Sequence, residues 1–353
     1  MRKLLLCIIG IFTLLVSDLK AQDPQFSQFF AAPLTLNPAL SGAFNGRYRV
    51  GVVYRNQWQN QLESPIVTYA AAADFRFSLP SQGKKTQDGL GAGILFYADR
   101  FGNSGFSTNQ IAVSTAYHKS LNGFNDQYLT LGAQIGIAQR NINFENIFFQ
   151  DQFNGTTGYT DPTAEPLPEN NFTYSDFAVG LNYTWIPRSG AALFAGAALH
   201  HIMEPEVSFY TNEENPEDNS SNLLHRKITA YLAGQLPLSE SVQFHPRALI
   251  HIQGPHRMVN AGANLRLLFN EIAGTAVHVG SWARVVKGTQ APFVMDSIVA
   301  MAGFEFSNIL LGFSYDIGIG SLETGNPLTR NVFEVSIAYL GDYDYSSVFC
   351  PKF

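Results

Sequence analysis

His200 and His201 are neighbours, and paired imidazoles are a common beginning of a metal site. On a strand, adjacent side chains point to opposite faces, so these two are not expected to share an ion. Asp176, His118 and several serines supply the residue types of a hydrolase triad, but no nucleophile motif surrounds any serine. The acidic stretch TNEENPEDNSS, Thr211 to Ser221, offers carboxylates to calcium without the Asp-x-Asp-x-Asp-Gly order of a dedicated loop. The sequence therefore predicts no catalytic residue, no metal site and no cofactor. The chemistry that remains is charge pairing. Arg49 and Arg55 stand near the start of the patterned part of the chain, and Asp316 and Glu334 near its end.

Those charges occupy positions of period two. In RYRVGVVYRNQW, Tyr48, Val50, Val52, Tyr54 and Trp58 share one face, and Arg47, Arg49 and Arg55 the other. In VTYAAAADFRFSL, Val67, Tyr69, Ala71, Ala73, Phe75 and Phe77 alternate with Thr68, Asp74 and Arg76. DGLGAGILFYAD puts Leu90, Ala92, Ile94 and Phe96 opposite three glycines, Tyr97 and Asp99. The pattern continues to NVFEVSIAYL and predicts roughly fourteen strands, long enough for tilted membrane crossings of about 9 to 11 residues. His118, Gln134, Arg140, Asp176, Asn182, His245, Arg247, Asn264, Arg266, Arg284, Asp316 and Glu334 all fall opposite their strand's apolar stripe. A charge facing lipid costs about 2–4 kcal/mol at the midplane, so this shared side is expected to be a lumen.

Composition agrees. Charged residues make up 14% and aromatics 13% of the chain, against about 25% charged in ordinary soluble domains. No apolar run is long enough for a spanning helix, which leaves a closed barrel as the way to pair every backbone group inside a bilayer. An antiparallel sandwich in water would also alternate, but would favour Lys and Glu on its polar face. Here the apolar stripes end in Tyr48, Trp58, Tyr117, Trp185 and Tyr339, as an interfacial girdle does. The long connections, Asn143 to Thr173, Met203 to Leu224 and Gly318 to Arg330, fall at one end, and the short ones at the other. In a bacterial barrel the short turns are periplasmic.

Three segments follow. Residues 1–21 have the basic start, apolar run and small final residue of a secretory signal peptide. Residues 22–46, QDPQFSQFFAAPLTLNPALSGAFNG, form an irregular apolar segment whose prolines prevent a long helix. Residues 47–353 form the barrel. Cleavage after Ala21 removes three basic residues and one acidic one, taking the formal charge from −6 to −8 and leaving Cys350 as the only cysteine. An intramolecular disulfide is then impossible, and a mildly acidic exported chain is not expected to bind nucleic acid.

DPQFSQF, LNPALSG, YRNQW, GFSYDIG followed by Ser321 and Leu322, Glu334 in the last strand, and the ending CPKF together resemble the PorP/SprF family of outer-membrane proteins. The family belongs to the type IX secretion and gliding systems of Bacteroidetes. The resemblance covers Gln22 to Phe353 and implies a barrel that supports secretion or surface attachment of cargo carrying a type IX C-terminal domain, such as adhesins. It also implies periplasmic anchor or motor proteins as partners, beside outer-membrane lipid. A plugged, porin-like transporter of small solutes or lipids is the alternative.

Within residues 22–46 the apolar side chains require burial. Asp23, Pro24, Gln25, Phe26, Phe29, Asn37 and Pro38 are therefore expected to plug the periplasmic mouth or dock a partner there. A disordered lead-in is the competing reading, against which the apolar content argues. Barrel closure sets the first strand beside the last. Arg49 and Arg55 are thereby expected to meet Glu334 and, one strand further, Asp316, as a structural network or as the lining of a path for charged solutes.

Overall fold

A computed structural model of the protein describes residues 23–59, 62–79, 86–102, 105–188, 190–210, 222–270, 274–287, 293–319 and 331–341. The signal segment, the acidic loop Thr211 to Ser221, Ser321 and Leu322, and the C-terminal CPKF lie outside them. So do residues 342–349.

The alternating segments become strands because a half-apolar ribbon can satisfy its backbone in lipid only by pairing on both edges. In chain order they are β1 (Tyr48–Gln57), β2 (Ile66–Ser78), β3 (Gly89–Phe101), β4 (Phe106–Ser120), β5 (Gln127–Asn141), β6 (Asn171–Trp185) and β7 (Ala192–His200). The second half comprises β8 (Lys227–Pro237), β9 (Val242–Gln253), β10 (His256–Asn270), β11 (Thr275–Lys287), β12 (Val294–Phe306), β13 (Ile309–Gly318) and β14 (Val332–Gly341). Each strand pairs antiparallel with its sequence neighbour, and β1 closes on β14, placing Arg55 opposite Glu334 and Tyr48 opposite Gly341. No helix among the described residues is long and apolar enough to cross a membrane.

The wall is inverted relative to a water-soluble protein. Ile111, Leu131, Ile137, Val179, Phe313 and Ile337 are exposed on the outside, while Asp74, Asp176, Arg284, Asp316 and Glu334 are buried inside. The strand ends joined by the connections 142–170, 201–226 and 319–331 lie at one end of the barrel. The opposite end carries short links such as 238–241 and 307–308, together with the start of β1 and the end of β14. That end is the periplasmic one for a barrel of this kind.

The β10–β11 and β11–β12 ladders each carry a one-residue irregularity, and the β8–β9 ladder has a wider gap. β8 and β9 pair from Lys227–Gln253 to Ala233–Arg247 and resume at Leu236–Phe244, skipping Gly234, Gln235, His245 and Pro246. Pro246 has no backbone N–H to give, and a proline ring inside a wall displaces the neighbouring strand.

The irregular segment fills the lumen. It contains one short helix, α1 (Pro33–Leu36), and a 3-10 turn, Pro38–Leu40, and every residue from Phe26 to Phe30 is buried.

Candidate functional site

The site is the contact between residues 23–46 and the inner wall. It is best followed from the long-loop end, where Asp23 sits. The Asp23 carboxylate accepts from His201 Nε2 at 2.7 Å and from Lys227 Nζ at 2.5 Å, and its backbone N–H donates to Gln253 Oε1 at 3.0 Å. The other nitrogen of His201 meets Asp176 Oδ1 at 3.0 Å. Burial would raise the Asp23 carboxyl, but the charges of His201 and Lys227 overcome it and hold the group well below the usual range. Burial likewise opposes the His201 cation, yet the two carboxylates push its pKa up to about 9.

Strand pleat alone would have sent His200 and His201 to opposite faces. β7 ends at His200, and His201 takes φ +55°, which turns it inward as well. His200 then meets the Leu36 carbonyl at 3.2 Å while His201 holds the two aspartates. Among the described residues no group of His, Cys, Asp and Glu is placed to hold a metal ion. Asp176 and His118 are likewise apart in their partners: His118 meets Thr130 Oγ1 and the Ser41 carbonyl, both at 2.9 Å.

Deeper in the lumen lies an ionic hub. Arg55 is paired with Glu334 in a short contact, and Arg284 Nη1 with Asp316 Oδ2 at 2.8 Å, while Arg55 lies 3.8 Å from the same aspartate oxygen. Two cations and two anions therefore balance in a space closed to solvent. The segment completes the hub. Ser27 and Gln28 donate successive backbone N–H groups to the two Glu334 oxygens at 2.7 and 2.8 Å. Ser27 Oγ donates to Asp316 at 2.6 Å and accepts from Arg55 and Arg284. Gln28 adds bonds to Ser314 and Ser336.

Of the four residues expected in one charge network, the structure brings Arg55, Asp316 and Glu334 together. Arg49 is a correction. It lies seven positions up-strand from Asn56, near the short-connection end, and forms a bidentate pair with Asp74 of β2, Nε and Nη2 each at 2.9 Å. Glu334 faces Arg55 in the closing register, out of reach of Arg49. Asp74 also accepts from the Gly42 N–H at 2.8 Å, and the Arg49 guanidinium lies 4.9 Å from the centre of the Phe44 ring.

Between these two ionic points the segment is held by apolar packing and by close approach. Phe26 packs with Ala32, Val53 and Ala70. Phe29 and Phe30 join Leu36, Phe194, Tyr231 and Trp282. Asn37 Nδ2 donates to the carbonyls of Leu181 and Ala197. The 3-10 turn lies on glycines: a Cβ at Gly180 would overlap Asn37 Oδ1, one at Gly132 the backbone of Pro38 and Ala39, and one at Gly91 the Ser41 carbonyl. These three glycines face inward because only a wall without side chains leaves room for a second backbone.

The expected periplasmic plug thus reaches further than the mouth. Ser41 to Phe44 lie toward the short-connection end, but Asp23, Pro24 and Gln25 line the long-loop end. Phe26 and Phe29 are each 6% exposed and press on the wall, so a periplasmic protein does not reach them. Sequence reasoning missed Ser27 as a contact residue of the segment, and Arg284, Asp74, His201 and Lys227 as its partners. The inward glycines were the available signal, since a lumen face that gives up side chains has something else against it.

A family model described as Type IX secretion system membrane protein PorP/SprF matches residues 18–339. No curated protein matches the chain. Among solved structures, BamA from Haemophilus ducreyi lacking POTRA domains 1-3 is similar, with 11% identity over 83% of this chain and 70% of that one, and a TM-score of 0.41. A Pseudomonas aeruginosa FadL homologue shares 11% identity over 86% of this chain and 92% of that one, TM-score 0.45. CdiB from Escherichia coli shares 12% identity over 82% of this chain, which spans only 63% of CdiB, TM-score 0.43. With the family model covering nearly all of an outer-membrane barrel, the chain belongs to the PorP/SprF family of type IX secretion system membrane proteins.

Proposed function

We propose that this barrel is a non-enzymatic component of the type IX system that supports secretion or surface anchoring of cargo carrying a type IX C-terminal domain. One observation carries the reading: the lumen is occupied along its length by residues 23–46, fixed to the wall by three ionic points and a glycine seat. A wall so braced is suited to holding a partner and poorly suited to bulk flow. Beside the start of the plug, two cavities of about 250 and 460 Å³ lie at the long-loop end, with Phe101, Phe106 and Tyr174 in the wall. This is the face on which a cargo domain would rest. Periplasmic anchor or motor proteins would meet the opposite end, where Arg47 is exposed beside the last plug residues.

Phe26→Ala combined with Phe29→Ala tests the brace. The barrel is expected to remain heat-modifiable and membrane-inserted, because its hydrogen-bonded wall is untouched. Cargo display at the cell surface is expected to fall, and cargo recovery in pull-downs with it. Parental display by the double variant would overturn the reading. Steady single-channel current from the purified parent in planar bilayers would favour the transporter alternative.

A further inference from the structure

Arg247 belongs to none of the three ionic points. It projects from β9 into the lumen, is 8% exposed, and lies with its guanidinium 4.0 Å from the centre of the Phe30 ring. Its Nη1 is buried and has no hydrogen-bond partner. A buried guanidinium normally faces a carboxylate, because an uncompensated charge in such a place is costly.

The group lines a cavity of about 100 Å³ under the plug. The other walls are mostly apolar: Phe29, Phe30, Leu36, Phe194 and Ala233. Arg49, His245 and the Tyr231 hydroxyl are the remaining polar neighbours, and no carboxylate lines the space among the described residues. Arg49 is already committed to Asp74, and Tyr231 donates to Asn182. The cavity therefore has an apolar body and one unspent positive end.

Its position in the wall adds a third observation. Ala233 and Gly234 of β8, and His245 and Arg247 of β9, border both the cavity and the break in the β8–β9 ladder at Pro246. The Pro246 ring stands next to Gly234, a Cβ on which would lie 3.3 Å from Pro246 Cγ. The one wall seam that lacks two pairings thus runs beside the one cavity with an unpaired cation among those described.

We infer that this cavity binds the head of a single-chain amphiphilic carboxylate drawn from the membrane, with Arg247 on the carboxylate and the chain leaving by the β8–β9 seam. The volume accommodates a head and its first methylenes, whereas whole drug-sized ligands need about 300 Å³ or more. A carboxylate fits the planar donor fork of Arg and cancels its charge, which a neutral alcohol does not.

The test uses the full barrel in lipid nanodiscs with 2-bromooctanoate as the probe, whose bromine sits on the carbon next to the carboxylate. Trp282 stacks on Phe30 with ring centres 5.8 Å apart, so bromine in the cavity quenches it. The other two tryptophans, Trp58 and Trp185, are replaced by phenylalanine to leave one reporter. Saturable quenching by the carboxylate is expected, with apparent affinity falling about tenfold or more in Arg247→Gln, the loss of a charge-assisted bond. Ala233→Phe, which fills the cavity and keeps the cation, is expected to abolish saturation, and Arg247→Lys to retain part of it. Equal quenching by 2-bromooctan-1-ol would overturn the proposal in favour of a plain apolar void. So would absence of saturation in the parent, or quenching unchanged in Arg247→Gln. If Arg247→Gln does not form a barrel, the Ala233→Phe result decides alone.

Discussion

The two halves of the plug are seated by different physics. Residues 23–28 lie against charges: Asp23 on His201 and Lys227, and Ser27 with Gln28 on the Arg55, Arg284, Asp316 and Glu334 hub. Residues 37–41 lie against absent side chains, at Gly180, Gly132 and Gly91. The first kind of seat is directional and responds to protonation and to loss of one partner. The second adds hydrogen bonds from Asn37 and to Ser41, but its seat is set by volume. A segment held both ways is fixed in register by the glycines and fixed in place by the ions. The half that can be released by a change of charge is the one at the long-loop end.

The largest effect is expected where volume is added. At Gly132 a side chain meets the backbone of Pro38 and Ala39, which cannot swing aside as a side chain would. Overpacking of this sort costs about 1–3 kcal/mol and sometimes more. Gly132→Val is expected to unseat the plug and turn a silent barrel into a conducting one in planar bilayers. Gly158→Val is the control, since a Cβ there meets nothing within 4 Å. A silent Gly132→Val barrel would show that the 3-10 turn can sit elsewhere and that the glycine seat is not selective.

The next effect sharpens the ionic side. Glu334 is 0% exposed and serves Arg55, Ser27 and Gln28 together. Removing one member of a buried pair costs about 3–5 kcal/mol, whereas replacing both with apolar groups is often close to neutral. Glu334→Gln is therefore expected to lower the temperature at which the barrel unfolds on a gel. Arg55→Met with Glu334→Leu is expected to restore the wall but not the plug, because the Ser27 and Gln28 N–H groups still lack an acceptor. Recovery of both would mean that the plug does not depend on the hub.

The wall was legible in the sequence and the plug was not, for a physical reason. Strand alternation is local: Arg55 and Glu334 each declare their face within a few residues, and closure of an even barrel then brings them together. The position of Arg49 could not be read the same way. Which of two arginines on one face meets a given glutamate depends on the register of β1 on β14, a shift that alternation alone does not set. The plug has no period at all. Its bonds join residues as far apart as Ser27 and Glu334, 307 positions along the chain. The motif letters DPQFSQF marked the segment as built, but only the inward glycines recorded where a backbone passes. Likewise the left-handed turn at His201 reverses what pleat predicts for the neighbouring imidazoles, and nothing in the pair His200-His201 announces it.

The smallest effect is a titration confined to the long-loop half. His201 has its pKa raised to about 9 from the ordinary 6.5, so its contribution to the latch is complete below about 6.5 and is lost as pH rises through about 9. Asp23 is shifted the other way, well below 3.8, so its contribution is present above that value and is lost only in strong acid. The latch is accordingly complete from roughly pH 4 to pH 8 and loses its His201 arm, though not Lys227, on the alkaline side. A nitroxide on Gln25→Cys, two residues along, reports this, with Cys350→Ser to remove the competing thiol. Gln25 is a suitable site because its side-chain oxygen has no hydrogen-bond partner to lose. The label is expected to gain mobility between about pH 8 and pH 9.5 in the parent. In His201→Gln, which carries no titrating charge, mobility is expected to be high already and without that step. A second label at Leu40, in the half that lies on the glycine wall, is expected to stay immobile across the same range. A parent label at position 25 that shows no step would remove His201 from the latch. A step appearing equally at both labels would show the plug moving as one body, and the division into an ionic and a steric half would fail.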